Sequence, residues 1–195
     1  MATREYWIIT PEGVKTESID FEWFGGFADV RKKMCINSLH NAILERHPDA
    51  KILEISSASE QDIGVKLSAM NLTYKDRELE EPVELEKVYQ SSKILKEYGP
   101  LTEILEIDDP KSAKVKTKEL LKKYELEGFE RGYSKTDDAR LFYGGLYLKS
   151  LLQNDLVDAV KNLEYNVFTD IFHQTGHACQ AEVVAEIVNV FGKKQ

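Results

Sequence analysis

Three residues of one short stretch could do chemistry together: Glu86, Gln90 and Lys93. The segment Glu84–Lys93 reads as helix. At 100° per residue Gln90 and Lys93 stay within an arc of roughly 60° that includes Glu86. Leu85, Val88, Tyr89, Ser92 and Leu95 fill the adjoining arc, so the polar stripe borders an apolar face with Tyr89 between them. A lysine beside a carboxylate at the edge of a core loses hydration and its pKa falls. The free amine is then a nucleophile, and the carboxylate can move protons. The ordinary reading is a Glu-to-Lys helix pair with a solvated glutamine between, and spacing alone favours it.

Other candidates lie elsewhere in the chain. Asp170 is flanked by Phe168, Ile171 and Phe172, as either a helix cap or a buried acid; base rates favour the cap. His173, His177 and Cys179 have the spacing H-x3-H-x-C. That pattern lacks a fourth ligand, so no metal is expected. Lys111, Lys114, Lys118 and Lys122 recur at intervals of 3, 4 and 4 residues, a basic helical stripe that is either a solvated face or a phosphate holder.

The elements that must position these residues read as follows. Glu5–Thr10 is a strand, and 21–27 an aromatic loop with two glycines. A helix runs from about Ala28 to Arg46 and ends at His47-Pro48. Lys51–Ile55 is a short buried strand followed by the polar loop Ser56–Ser59, where open sheets often place ligand contacts. Gly64–Leu72 reads as extended. Glu81-Pro82 opens a helix that continues to about Tyr98 and stops at Gly99-Pro100. Asp109-Pro110 caps a lysine-rich helix to about Tyr124, Gly128–Gly132 is a loop, and Thr136-Asp137-Asp138 caps a helix to Asn154. A short helix spans Leu156–Asn162. The last helix, from about Ala178 to Phe191, is apolar nearly all round and is expected to be central.

Composition sets the class. With 195 residues, 42% hydrophobic and 31% charged, the chain suits one compact domain, 1–195, rather than a disordered or membrane protein. The reading is α+β, helix-dominated, with a few short strands. No apolar stretch approaches the roughly 20 residues that span a bilayer, and no secretory segment opens the chain, so no membrane contact and a cytoplasmic location are expected. Cys35 and Cys179 fit neither a disulfide framework nor a zinc pattern, which makes them reduced thiols. The net charge of −8 argues against a protein that lives by non-specific phosphate attraction, but a local patch can still engage a nucleic acid briefly. No Gly-rich phosphate loop, G-x-S-x-G elbow or H-E-x-x-H site occurs.

Glu86-Lys87-Val88-Tyr89-Gln90-Ser91-Ser92-Lys93 resembles the E-x2-[YF]-Q-[AS]-x-K helix of the NADAR (YbiA-like) superfamily. Lys51–Ser57, Gly64–Leu72, Gly99-Pro100, Leu148–Asn154, Phe168–Ile171 and Cys179–Ala181 resemble, in order, one branch: the NADAR antitoxins associated with DarT-type toxins that ADP-ribosylate guanine in DNA. The likeness covers roughly residues 20 to 190. It implies an N-glycosidase, without cofactor or metal, that removes ADP-ribose from guanine in DNA and so reverses a cognate toxin. Lys93 would form a Schiff base with the ribose anomeric carbon, with Glu86 and Asp170 as acid and base. Glu54, Lys66, Ser68, Asn71, Tyr89, Gln90, Asn154 and Gln180 would contact substrate. One departure stands out: the superfamily often carries tryptophan and glycine after the aspartate, and here Ile171 and Phe172 follow Asp170. Two other readings keep their place, a glycosidase acting on a small ribosylamine or ADP-ribose metabolite, and an antitoxin that binds its toxin without catalysis.

Overall fold

A computed structural model describes residues 1–26, 28–173 and 178–192. The fold is mixed α+β, with elements in the order β1 (Ala2–Thr10), β2 (Gly13–Phe21), α1 (Asp29–Arg46), β3 (Ile52–Glu54), α2 (Asp62–Lys66), β4 (Thr73–Tyr74), β5 (Val83–Glu84), α3 (Leu85–Ser91), β6 (Lys93–Leu95), β7 (Gly99–Pro100), a 3-10 turn (Thr102–Glu106), α4 (Pro110–Leu121), β8 (Leu126–Arg131), β9 (Ser134–Thr136), α5 (Ala139–Gln153), α6 (Val157–Lys161), β10 (Val167–Thr169) and α7 (Gln180–Phe191). Among the described residues no helix is long and apolar enough to cross a membrane. The chain divides into two compact units, Met1–Ser68 with Leu156–Gln195, and Ala69–Asp155.

The first unit is built on a four-stranded sheet in the order β2-β1-β10-β3. β1 and β2 pair antiparallel along their whole length, and β10 lies parallel to β3. Tyr6, Ile19, Phe21, Val167 and Ile171 form one core with Cys35, Ile36, Leu39 and Ile43 of α1, and α7 packs on β1, β2 and β10. β2 lies outside the sequence reading, because only Ile19 and Phe21 of it are buried and its alternation is faint. Gly64–Leu72 is not extended: α2 and turns occupy it. There a Cβ on Gly64 would run into the Glu54 carbonyl and the Ser59 hydroxyl, so the glycine serves close packing. α7 buries Ala181, Val184, Ala185, Ile187 and Val188 and leaves Val190 and Phe191 exposed, so it is amphipathic rather than enclosed.

In the second unit β7-β6-β8-β9 form an antiparallel sheet and β4-β5 a small ribbon. Leu95, Leu101, Ile104, Ala113 and Leu120 make its core under α4. Asp109 and Asp138 cap α4 and α5 as expected, each accepting from two backbone amides. The long helix expected from Glu81 to Tyr98 is instead strand, helix and strand. α3 ends at Ser91, where the hydroxyls of Ser91 and Ser92 both fold back onto the Val88 carbonyl beside the last helical bond, from the Ser92 amide, a local competition that weakens the final turn. Ile94 and Leu95 then bury themselves in β6, and Gly99 (φ 98°) turns the chain back into β7. The loop expected at Gly128–Gly132 is mostly β8; Gly128 is glycine because a Cβ there would lie 2.9 Å from the Thr136 carbonyl on β9.

Candidate active site

Lys93 sits where α3 gives way to β6, in the second unit. It is held by backbone on two sides: it pairs with Phe129 of β8, and its carbonyl accepts from Leu101 N. Its side chain is 8% exposed. The amine donates to Gln90 Oε1 at 2.6 Å, and Gln90 Nε2 donates to Glu86 Oε1 at 2.9 Å. Lys114 of α4 closes the row, with Nζ 3.3 Å from the same Glu86 oxygen. The amine and the carboxylate of the sequence motif therefore communicate through the amide of Gln90. This arrangement needs the Gln90 carbonyl toward Lys93 and its NH2 toward Glu86, the orientation in which both donors meet acceptors.

Aromatic rings floor this row. The Lys93 amine lies 4.8 Å from the centre of the Tyr89 ring, which stacks on Phe129 and meets Tyr143 edge-on. Burial pushes the Lys93 amine down to about 8; Glu86 pulls it back up, and Lys114 and Lys118 lower it further. At pH 7 roughly a tenth of the amines are then neutral, against well under a thousandth at the ordinary value. Burial raises the Tyr89 hydroxyl, with the Glu86 charge acting in the same direction, so Tyr89 stays a neutral phenol.

The first unit gathers a second set. Glu54, at the end of β3, is fully buried; Oε2 accepts from Thr169 Oγ1 at 2.6 Å and Oε1 from Ile171 N at 2.9 Å. His40 Nε2 lies 3.0 Å from the Thr169 hydroxyl, and burial lowers that imidazole to about 4. His40 is thus neutral, and burial raises the Glu54 carboxyl. Asp170 is buried and begins no helix, so the cap expectation fails. Oδ1 accepts from Phe172 N at 2.9 Å, and Oδ2 accepts from Gln180 Nε2 at 3.0 Å. Gln180 also donates to the Ile55 carbonyl at 2.6 Å, which ties the start of α7 to the strand ends that carry Glu54 and Asp170.

The family model of the DarT1-associated NADAR antitoxins matches residues 2–195. The chain belongs to that family. No curated protein matches it. In this antitoxin the motif residues Glu86, Tyr89, Gln90 and Lys93 form one contact group, and Glu54, Asp170 and Gln180 another. The remaining expected contacts sit on other elements. Asn154 spends its amide on the Thr73 hydroxyl and carbonyl and on the Ser150 carbonyl, a clasp between α5 and β4. Lys66 ends α2, Ser68 is buried behind it, and Asn71 is exposed on the turn before β4.

His173 is engaged by Glu5, 3.2 Å away, and by an edge contact with Trp7, while Cys179 is buried; His177 lies outside the described residues, as does Phe27 of the aromatic loop. Trp23 carries the Arg4 guanidinium 5.2 Å from its ring centre. Sequence reasoning left Lys114 out of the site. Its signal was the four-lysine stripe, whose facing carboxylate only the packing of α4 on α3 reveals.

Proposed function

We propose that this antitoxin is an N-glycosidase that removes ADP-ribose from guanine bases in DNA through a Schiff base on Lys93. The observation that carries the reading is the buried Lys93 amine, lowered to about 8 and held between Gln90 Oε1 and the Tyr89 ring. The lone pair of the base amine opens the ribose ring: the bond from anomeric carbon to ring oxygen breaks, the oxygen takes a proton from a carboxylic acid, and a protonated imine to guanine forms. Neutral Lys93 adds to the anomeric carbon, its nitrogen passes a proton to the guanine nitrogen, and guanine leaves with its amine restored. Water then adds to the Lys93 Schiff base and gives up a proton to a carboxylate. The proton of the new hydroxyl passes to the lysine nitrogen as the carbon–lysine bond breaks, and ADP-ribose leaves as the aldehyde, which closes again.

Glu86 and Asp170, the carboxylates that the resemblance assigns, serve as acid and base. Lys114 and Lys118 add positive charge beside the amine, where the diphosphate of ADP-ribose would be welcome. The test is release of ADP-ribose from an oligonucleotide modified on guanine, followed by electrophoresis and mass spectrometry, with Lys93→Ala alongside. The wild type is expected to restore plain DNA and to be trapped covalently by borohydride, while the variant does neither. An active Lys93→Ala protein would end the Schiff-base reading, and an inactive wild type would end the DNA substrate.

A further inference from the structure

A groove on the second unit lies outside the catalytic row. β8 and β9 turn at Gly132-Tyr133, with Arg131 paired to Ser134. Gly132 alone takes a positive φ, 58°, as the first central position of a type II′ turn requires. The turn makes no demand for an aromatic residue at its second position, yet Tyr133 stands there fully exposed. Beneath it opens a concavity of about 350 Å³ walled by Tyr74, Phe142, Lys135 and Lys149, and by Gly145, where no side chain fills the space. A second concavity of about 480 Å³ shares Tyr74 and adds Lys75 and Arg77.

The charge here runs against the molecule. Arg131 is committed to Asp76 through two hydrogen bonds of 2.7 and 3.1 Å, Lys75 donates to the Glu80 carbonyl, and Lys135 lies 3.6 Å from Glu130 in an exposed pair that solvent screens; with Arg77 and Lys149 they still give the groove a surplus of cations on a chain of net charge −8. Lysines along a groove with an exposed ring at its lip are the chemistry of a phosphodiester strand whose bases stack. A base offers its face only when unpaired, so the strand is single. The groove also has a fixed relation to Lys93 within this unit. Phe129, paired with Lys93, and Tyr133 are four residues apart along β8 and its turn, at most about 13 Å.

We propose that this groove, with Tyr133 as the stacking platform and Lys135 and Lys149 on phosphates, holds the unmodified nucleotides that flank the modified guanine. The proposal rests on the reading of a DNA substrate. It explains how an acidic protein can engage DNA through one local patch.

The test measures binding of a fluorescent, unmodified single-stranded oligonucleotide by anisotropy, for the full-length wild type, Tyr133→Ala and Lys149→Glu. Each variant is expected to weaken binding at least about fivefold, with a smaller salt dependence for Lys149→Glu. A duplex of the same sequence is expected to bind more weakly and to ignore Tyr133→Ala. Kinetics separate this inference from the one beneath it. On modified oligonucleotide the variants are expected to raise KM, while on ADP-ribosylated guanosine alone they match the wild type. If the wild type cleaves neither substrate, the glycosidase reading falls, and the anisotropy still decides the groove. Equal binding by all three proteins, or no binding by the wild type, overturns the proposal.

Discussion

Two buried glutamates of this antitoxin have opposite surroundings. Glu54 in the first unit spends both oxygens on its own framework, the Thr169 hydroxyl and the Ile171 amide, and burial raises its pKa. Glu86 in the second unit faces Gln90 and a lysine, Lys114, whose side chain is 39% exposed. The first cluster is closed, with each hydrogen bond internal to strand ends that it fastens. The second is open at one side and holds compensating charges that a bound anion could rearrange. A closed polar cluster gains most by staying as it is, because any change leaves a buried group unpaired. An open one can change protonation state at modest cost, which a reacting amine requires.

The strongest way to sharpen this contrast is Lys93→Met. It is expected to lower ADP-ribose release more than about a thousandfold and yet to stabilise the fold. The folded amine titrates near 8 and the unfolded one near 10.5, so the unfolded chain holds the proton more tightly. That penalty is full below pH 8 and gone by about 10.5. The methionine variant should therefore exceed the wild type by on the order of 3 kcal/mol at pH 7 and match it near pH 10.5 in urea unfolding. A destabilised variant at pH 7 would mean that the lysine is a structural prop and would erase the distinction between the two clusters.

Glu54 should behave in the opposite sense. Glu54→Ala strands the Ile171 amide and the Thr169 hydroxyl and is expected to cost about 3 kcal/mol. Glu54→Gln keeps an acceptor for Ile171 and should cost roughly 1 kcal/mol or less. The pH dependence follows from the raised carboxyl: its stabilising contribution is present below the unfolded value and is lost as pH rises through the folded one. The glutamine variant should lack that decline when unfolding is followed from pH 4 upward. Loss of catalysis with unchanged stability in Glu54→Ala would make Glu54 a substrate ligand instead, the role that the resemblance implies.

How far these roles could be read from sequence depended on the range of the interactions involved. α4 and α5 announce themselves because Asp109 and Asp138 cap within their own first turns. β2 and β8 do not, since their pairing partners lie in other segments and their glycines mimic loops. The spacing of Glu86, Gln90 and Lys93 was legible as a chemical group, but its geometry was not. A continuous helix was expected, and Ser91 and Ser92 break it, which places Lys93 on a strand. Glu54 and Asn154 enter as substrate contacts through the resemblance, and no local signal foretells the Ile171 amide and the Thr73 carbonyl that they meet, because both partners lie far along the chain.

Lys114→Met is the finest probe of the open cluster. Lys114 acts on Lys93 by two routes with the same sign: its positive charge repels the ammonium, and its ion pair with Glu86 offsets the carboxylate that would otherwise favour it. Removing it takes away a repulsion and frees an attraction, so the Lys93 amine must become harder to deprotonate. The expected result is that the rising limb of kcat/KM, near pH 8 in the wild type, moves to higher pH by less than about one unit, because a partly exposed lysine is screened by solvent. Any loss of rate should then be largest at pH 7 and recover above pH 9. A pH-independent loss would assign Lys114 to substrate binding alone, and a limb moved to lower pH would contradict both routes, the direct repulsion as well as the pairing with Glu86.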